Sequence, residues 1–210
     1  MGDIIALPER GLFTGNRGII HDPRTRTLLK RRWASRAWLI CTLEWRGIRR
    51  IVMGMGSWTE LFFLDEATAL AAGHRPCFLC RRAAAQAFQA SFPPNGQRVI
   101  PKAHDIDRVL HAERLDGRDK RLHDLTSPAA DLPDGAMILQ RGAPHLILQG
   151  QAHLWSPGGY GEPAAVLDSC RLISPPSTVA ALKAGYRPLI HASAFGWKDW
   201  PRGFGRGGPE

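Results

Sequence analysis

Residues 65 to 80 leave the backbone little choice. Asp65 can cap a helix N-terminus, Glu66 to Ala72 is built from good helix formers, and Gly73 suits the left-handed position that ends a helix. Pro76 forbids continuation, and Cys77-Phe78-Leu79-Cys80 follows at once. Thiols at this spacing can aim at one metal ion, because the tight turn points both sulfurs inward while backbone N–H groups support them. The pattern predicts a short strand over Leu61 to Leu64, a capped helix, a glycine stop and a metal knuckle. A redox pair is the competing reading of Cys-x-x-Cys. No thioredoxin-like βαβ pattern leads into this one, and two ordinary cysteines after a helix are the third reading.

The segment has an echo. Asp65 to Pro76 returns as Ser177 to Pro188, shifted by 112 residues without a gap and identical at six of twelve positions, including the Gly-x-Arg-Pro stop. Both copies begin on a residue that can cap a helix. The second has Leu189 and Ala192 where the first has Cys77 and Cys80, so any metal belongs to the first. The fold this predicts is α+β: two related β-hairpin-plus-helix units joined by a helical segment, with a metal knuckle in the first. The boundaries are 1–92 for the first unit, 93–130 for a His/Asp-rich helical connector, 131–195 for the second unit and 196–210 for a tail, within one compact domain overall.

Other elements follow from periodicity and punctuation. Residues 1 to 29 read as loop, and Thr14 to Gly18 as a simple turn in preference to a donor-rich turn that holds an anion; no Gly-Lys-Ser/Thr follows to make it a P-loop. Ala37 to Trp45 reads as a strand with Leu39, Cys41, Leu43 and Trp45 on one face, Arg46-Gly47 as its turn, and Ile48 to Met53 as the return strand. Helices are expected over Arg82 to Phe92, stopped by Pro93-Pro94, and over Lys102 to Leu115. Strands are expected over Ala136–Gln140, His145–Gln149 and Ala152–Trp155, with Ser156 to Gly161 as loop.

One knuckle is half a metal site. His104 and His111 lie about 20° apart around the expected helix and two turns apart along it, and are the preferred third and fourth ligands in a Cys2His2 zinc site. Cys41 and Cys170 are the alternatives, although a thiol on an apolar strand face is more often simply buried. His74, beside the knuckle, is a further alternative or a supporting group.

Charge is concentrated. Residues 10 to 50 hold 11 Lys and Arg against Asp22 and Glu44, which accounts for the whole net charge of +9. Trp33, Trp38, Trp45 and Trp58 lie in or just after this stretch. Cations interleaved with aromatics suit phosphate neutralisation and base stacking. The nucleic-acid contacts expected are Arg31, Arg32, Arg36, Arg49, Arg50, Arg81 and Arg82, with DNA or RNA as partner. No apolar run approaches the ~18 residues of a bilayer span, and no secretory leader is read at the N-terminus. A membrane partner is therefore not expected, and a cytoplasmic location is, where thiols favour metal over disulfide.

Phe63 to Arg81, with its Ala-Gly-His-Arg-Pro-Cys-x-x-Cys-Arg run, resembles the zinc-binding module of the Ada DNA-repair methyltransferase family and its stand-alone or nuclease-fused relatives. The resemblance covers about 20 of 210 residues. It implies zinc at Cys77 and Cys80 and an association with DNA. That family places its other two cysteines close together upstream, and one accepts a methyl group from a DNA phosphotriester. Only Cys41 lies upstream here, so methyl transfer is not implied. The remainder resembles an uncharacterised bacterial family and carries over no activity.

Three functions compete: a zinc-stabilised nucleic-acid-binding protein; a metal-dependent hydrolase or nuclease using His104, Asp105, Asp107, His111, His123 and Asp124; and a protein-interaction module. Pairing of the arginines of 10–50 with the acids of 105–124 would favour the last.

Overall fold

A computed structural model describes residues 2–48, 51–92 and 100–196. Arg49, Arg50, the Pro93-Pro94 helix stop and the tail beyond Gly196 lie outside the described residues. Among the described residues the architecture is mixed α+β, with several sheets and four helices.

The first sheet has strand order β5-β1-β4-β6. Its members are β1 (Phe13–Asn16), β4 (Leu39–Thr42), β5 (Glu60–Phe63) and β6 (Arg75–Pro76). Between them, β2 (His21–Asp22) and β3 (Thr27–Leu28) form a separate small hairpin. Helix α1 (Glu66–Ala71) separates β5 from β6, and α2 (Arg82–Ser91) follows the knuckle. Helix α3 (Ala103–Arg114) leads into a second small hairpin, β7 (Leu115–Asp116) and β8 (Asp119–Lys120). The other large sheet has order β12-β11-β10-β9-β13. It contains β9 (Met137–Gln140), β10 (Ala143–Leu148), β11 (Gln151–Ser156), β12 (Gly159–Ala164) and β13 (Arg171–Leu172), and α4 (Pro176–Lys183) follows.

Several expectations change. Residues 1 to 29 are not all loop, because Phe13–Asn16 forms an inner strand between β4 and β5. Gly15 disguised it as a turn. The glycine is needed because a Cβ there would lie 2.3 Å from the Phe63 ring and 3.3 Å from His74. The turn expected at Thr14 to Gly18 is accordingly part strand, and Asn16 Oδ1 accepts the Gly18 N–H at 2.8 Å. The turn at Arg46-Gly47 forms, with φ of 53° and 68° and a Trp45–Ile48 bridge. The return strand does not continue over Ile51 to Met53. Both edges of β4 are already taken, one by β1 and the other by β6. The Ser156 to Gly161 loop is a tight turn that opens β12.

The helices fall close to expectation. Asp65 caps α1 through Thr68 N–H at 2.8 Å. Ser177 is not the cap of α4: it sits in the first turn, behind Pro175 and Pro176. There its N–H and hydroxyl both donate to the Glu113 carboxylate of α3, at 3.0 and 2.6 Å.

The glycine stops match bond for bond. Ala72, Gly73 and His74 donate to the carbonyls of Thr68, Leu70 and Ala69. Ala184, Gly185 and Tyr186 donate to Ala180, Leu182 and Ala181, each 112 residues on. Gly73 has φ +84°, and the Arg114 side chain lies 2.6 Å from where its Cβ would be, so no other residue fits.

One apolar cluster draws on the segments expected as separate units. Phe13, Ile40, Leu70 and Phe88 pack with Ile106 and Leu110 of α3 and with Ile138, Ile147, Leu182 and Tyr186. A second joins Leu64, Ala67 and Ala71 to Met137, Leu146 and Tyr160. No helix among the described residues is long and apolar enough to cross a membrane.

Two buried carboxylates fasten α1 to the second sheet's segment. Asp65 is fully buried and accepts Tyr160 O–H at 2.8 Å and His191 N–H at 3.0 Å, besides Thr68. Desolvation raises its pKa, against the pull of those four donors. Asp65→Ala orphans the donors and removes the cap, so a loss of about 3 kcal/mol or more is expected. Tyr160→Phe removes one charge-assisted bond, worth about 1.5 kcal/mol. Urea unfolding checks both through the transition midpoint at unchanged slope; an Asp65→Ala loss under about 0.5 kcal/mol, the range of an ordinary surface change, contradicts this role.

Candidate metal centre

The parallel pairing of β6 with β4 builds the site. Leu39 lies beside Arg75 and Ile40 beside Pro76, and Cys77 N–H donates to Ile40 O at 3.0 Å. One residue further, the register brings Cys41 and Cys77 together. The chain then turns tightly: Arg81 N–H reaches back to Cys77 O at 3.0 Å, and Leu79 N–H donates to Cys77 Sγ at 3.4 Å. That turn returns Cys80 to the same point. The three sulfurs lie within 4.8 Å of one another. Tetrahedral coordination with metal–sulfur bonds of ~2.3 Å places sulfurs about 3.8 Å apart, so small adjustments suffice.

The three thiols are free. Cys41 and Cys77 are buried, and Cys80 is half-exposed. Hydrogen bonding from Cys41 and Cys80 drives the Cys77 thiol far down, and the N–H groups of Cys80 and Leu79 assist. The same sharing with Cys77 and Cys80 drives Cys41 strongly up. Three adjacent sulfurs cannot all ionise without a cation. A metal ion removes that conflict, and the sulfur-only donor set fits a soft or borderline ion. Cys41, Cys77 and Cys80 could therefore hold a metal ion, and they are the only such group among the described residues.

The knuckle is anchored from behind. Arg81 makes two bonds of 2.9 Å to the Glu66 carboxylate and lies over the Phe13 ring. Glu66 also accepts from Tyr186 O–H and from Leu189 N–H at 3.0 Å.

The preferred partners of the knuckle are elsewhere. His104 is exposed on α3, 3.4 Å from Asp105. His111 packs edge-on against Trp33, and its Nδ1 is 2.7 Å from Arg114. Burial, then Arg114 and Arg36, lower its pKa. Neither joins the cysteines. Periodicity placed both correctly on one helix but could not show what that face meets. Cys170 is buried in the apolar core. His74 is fully buried between Phe63 and Trp38 and accepts from Arg17 Nε at 3.2 Å. Burial and the charges of Arg17 and Arg114 push its pKa well down, which keeps it a neutral acceptor. It supports Arg17 rather than the sulfurs. Cys41, one of the alternatives, is the third ligand candidate that the fold brings in; β-pairing, not motif spacing, identifies it.

The His/Asp set does not gather. Asp107 is buried in a two-bond pair with Arg75, at 2.8 Å each. Asp105 pairs with Arg108. His123 meets Glu113 O at 2.8 Å, and Asp124 pairs with Arg171 at the surface.

Of the expected nucleic-acid contacts, Arg31, Arg36 and Arg82 are exposed. Arg32 is half-buried and bonds Gly2 O and Asp3. Arg81 is turned inward onto Glu66. Sequence reasoning missed Arg17 and Arg114, both buried with their guanidiniums 3.7 and 3.8 Å from the Trp38 ring centre. No family model, curated protein or solved structure matches the chain.

Metal analysis of purified protein after exposure to a chelator checks the ligand set. Cys41→Ser and Cys77→Ser are expected to lose most bound metal, while His104→Ala, His111→Ala and Cys170→Ser retain it. Retention in Cys41→Ser would remove that residue from the site.

Proposed function

We propose that the chain is a zinc-binding protein whose metal is structural and whose basic surface binds nucleic acid. The observation that carries the reading is the convergence of Cys41, Cys77 and Cys80 from two paired strands and a turn. Zinc favours thiolate ligands and tetrahedral geometry. Bound there, it would cross-link β4 to the knuckle and so brace the start of α2. The fourth position is left to a donor outside this group.

The nucleic-acid half rests on charge that the fold leaves free. Among the described residues, no arginine of the 10–50 stretch pairs with an acid of 105–124; the pairs formed are Arg24–Asp22 and Arg32–Asp3. That is the outcome that favours nucleic acid over a neutral interaction surface. Arg31, Arg36 and Arg82 remain at the surface. A reducing, cytoplasmic setting keeps the thiols available to the metal. DNA in particular rests on the Ada-like resemblance alone.

In this reading the two hairpin-plus-helix units are copies of one ancestor. Supporting it are the matching bonds around Gly73 and Gly185 and the shared orders β5-β1-β4 and β13-β9-β10. The second copy replaces the sulfur of Cys77 by Leu189, whose backbone exchanges bonds with Glu66. Contact with the first copy does there what metal does in the first. The hydrolase alternative has no comparable gathering of side chains.

Titration of a labelled single-stranded oligonucleotide at several salt concentrations tests the proposal. With about four phosphate contacts, affinity is expected to fall roughly fifty-fold between about 50 and 200 mM salt. Binding that does not change with salt, or no binding at the low end, overturns it.

A further inference from the structure

Among the described residues, Arg17 differs from the other arginines that are turned inward. Arg75 is matched by Asp107, Arg81 by Glu66, and Arg114 by the carbonyls of Gly73 and Arg36, at 2.9 and 2.7 Å. Arg17 is only 6% exposed, yet its side chain makes one hydrogen bond among the described residues, from Nε to His74. No carboxylate pairs with it there. Its two terminal nitrogens have no acceptor among the described residues and are not sealed from solvent, so a ligand can reach them.

The surroundings are cationic and partly open. The loop from Arg32 to Arg36 is tied to the Arg17 carbonyl through Ala34 N–H at 2.8 Å and Ser35 N–H at 3.2 Å. Arg32 is close enough for its charge to act on Arg17. Burial, with that charge, lowers the Arg17 pKa to about 9. Arg36 is exposed. Trp33 is half-exposed in the same loop, its ring 6.3 Å from Trp38 and 5.6 Å from His111. The acid that answers this group is Asp3 on Arg32, itself exposed.

We propose that Arg17, with Arg32 and Arg36 at the mouth, receives an oxyanion of the phosphate class, and that Trp33 offers the face on which an adjoining base stacks. The planar fork of Arg17, held by His74 and Trp38, suits two-point recognition of a phosphate. Aromatic stacking beside a phosphate contact suits a single strand over a duplex. The proposal rests on the nucleic-acid reading only for the source of the phosphate.

The test uses the full chain with two probes, inorganic phosphate and a single-stranded oligothymidylate of about twelve nucleotides. Binding is followed by tryptophan fluorescence for the first and anisotropy for the second, and each variant's thermal midpoint is recorded. Arg17→Lys keeps the charge and removes the fork, and is expected to weaken both probes about tenfold. Arg36→Gln is expected to lower the salt slope of oligonucleotide binding by about 0.7. Trp33→Ala should weaken the oligonucleotide but not phosphate. Arg141→Gln, an exposed cation at the β9–β10 turn, should change nothing. If Arg17→Lys does not fold, Arg36→Gln and Arg32→Gln carry the test alone. Phosphate binding sensitive to these changes, without oligonucleotide binding, upholds the site and overturns the nucleic-acid reading. Oligonucleotide binding unaltered by all of them upholds that reading and overturns the site. No binding of either probe overturns both.

Discussion

The structure turns on two adjacent carboxylates buried at the start of α1. Asp65 faces Tyr160 and His191, and Glu66 faces Arg81, Tyr186 and Leu189. A buried carboxylate is tolerable only when its oxygens are filled with donors. Here the donors come from the knuckle on one side and from the segment of the second sheet on the other. Neither side can shift without leaving a charge unmatched. The same two residues thus set the fold's internal geometry and aim the turn that carries Cys77 and Cys80.

A metal ion held by the three cysteines would complete what those carboxylates begin. Arg81 fixes the C-terminal end of the knuckle, while the β4–β6 ladder fixes its N-terminal end beside Cys41. The cysteine sulfurs are left within 4.8 Å of one another, and Cys77 is driven toward the thiolate while Cys41 is held as the thiol. On the far side of β4, Trp38 lies beneath the guanidiniums of Arg17 and Arg114. Arg75 and Arg81 have carboxylate partners in Asp107 and Glu66, while Arg17 has none among the described residues. The terminal nitrogens of Arg17 have no acceptor among the described residues, and that opening is what the proposed phosphate contact would fill.

What the sequence made legible follows from local chemistry. Asp65, Gly73, Pro76 and the cysteine spacing each constrain the backbone within a few residues, and the capped helix, the glycine stop and the tight turn that brings Cys77 and Cys80 together formed where they point. The echo at 177–188 was visible because Gly-x-Arg-Pro is such a constraint twice over. What stayed hidden depends on pairing across distance. β1 was masked by Gly15, whose missing side chain makes room for Phe63 and His74. The return strand after Trp45 failed because β4 already had partners on both edges. His104 and His111 share a helix face, but whether that face meets sulfurs or water is decided by the packing of α3. Cys41 became a ligand candidate through register, which no motif records. Arg81 read as a surface cation because nothing near it in the chain announces Glu66.

The most direct measurement is X-ray absorption at the zinc edge of the purified, zinc-loaded protein. The account predicts at least three sulfur scatterers at about 2.3 Å and no pair of imidazole nitrogens. Two sulfurs with two nitrogens at about 2.0 Å would contradict it, and would put His104 and His111 back at the metal.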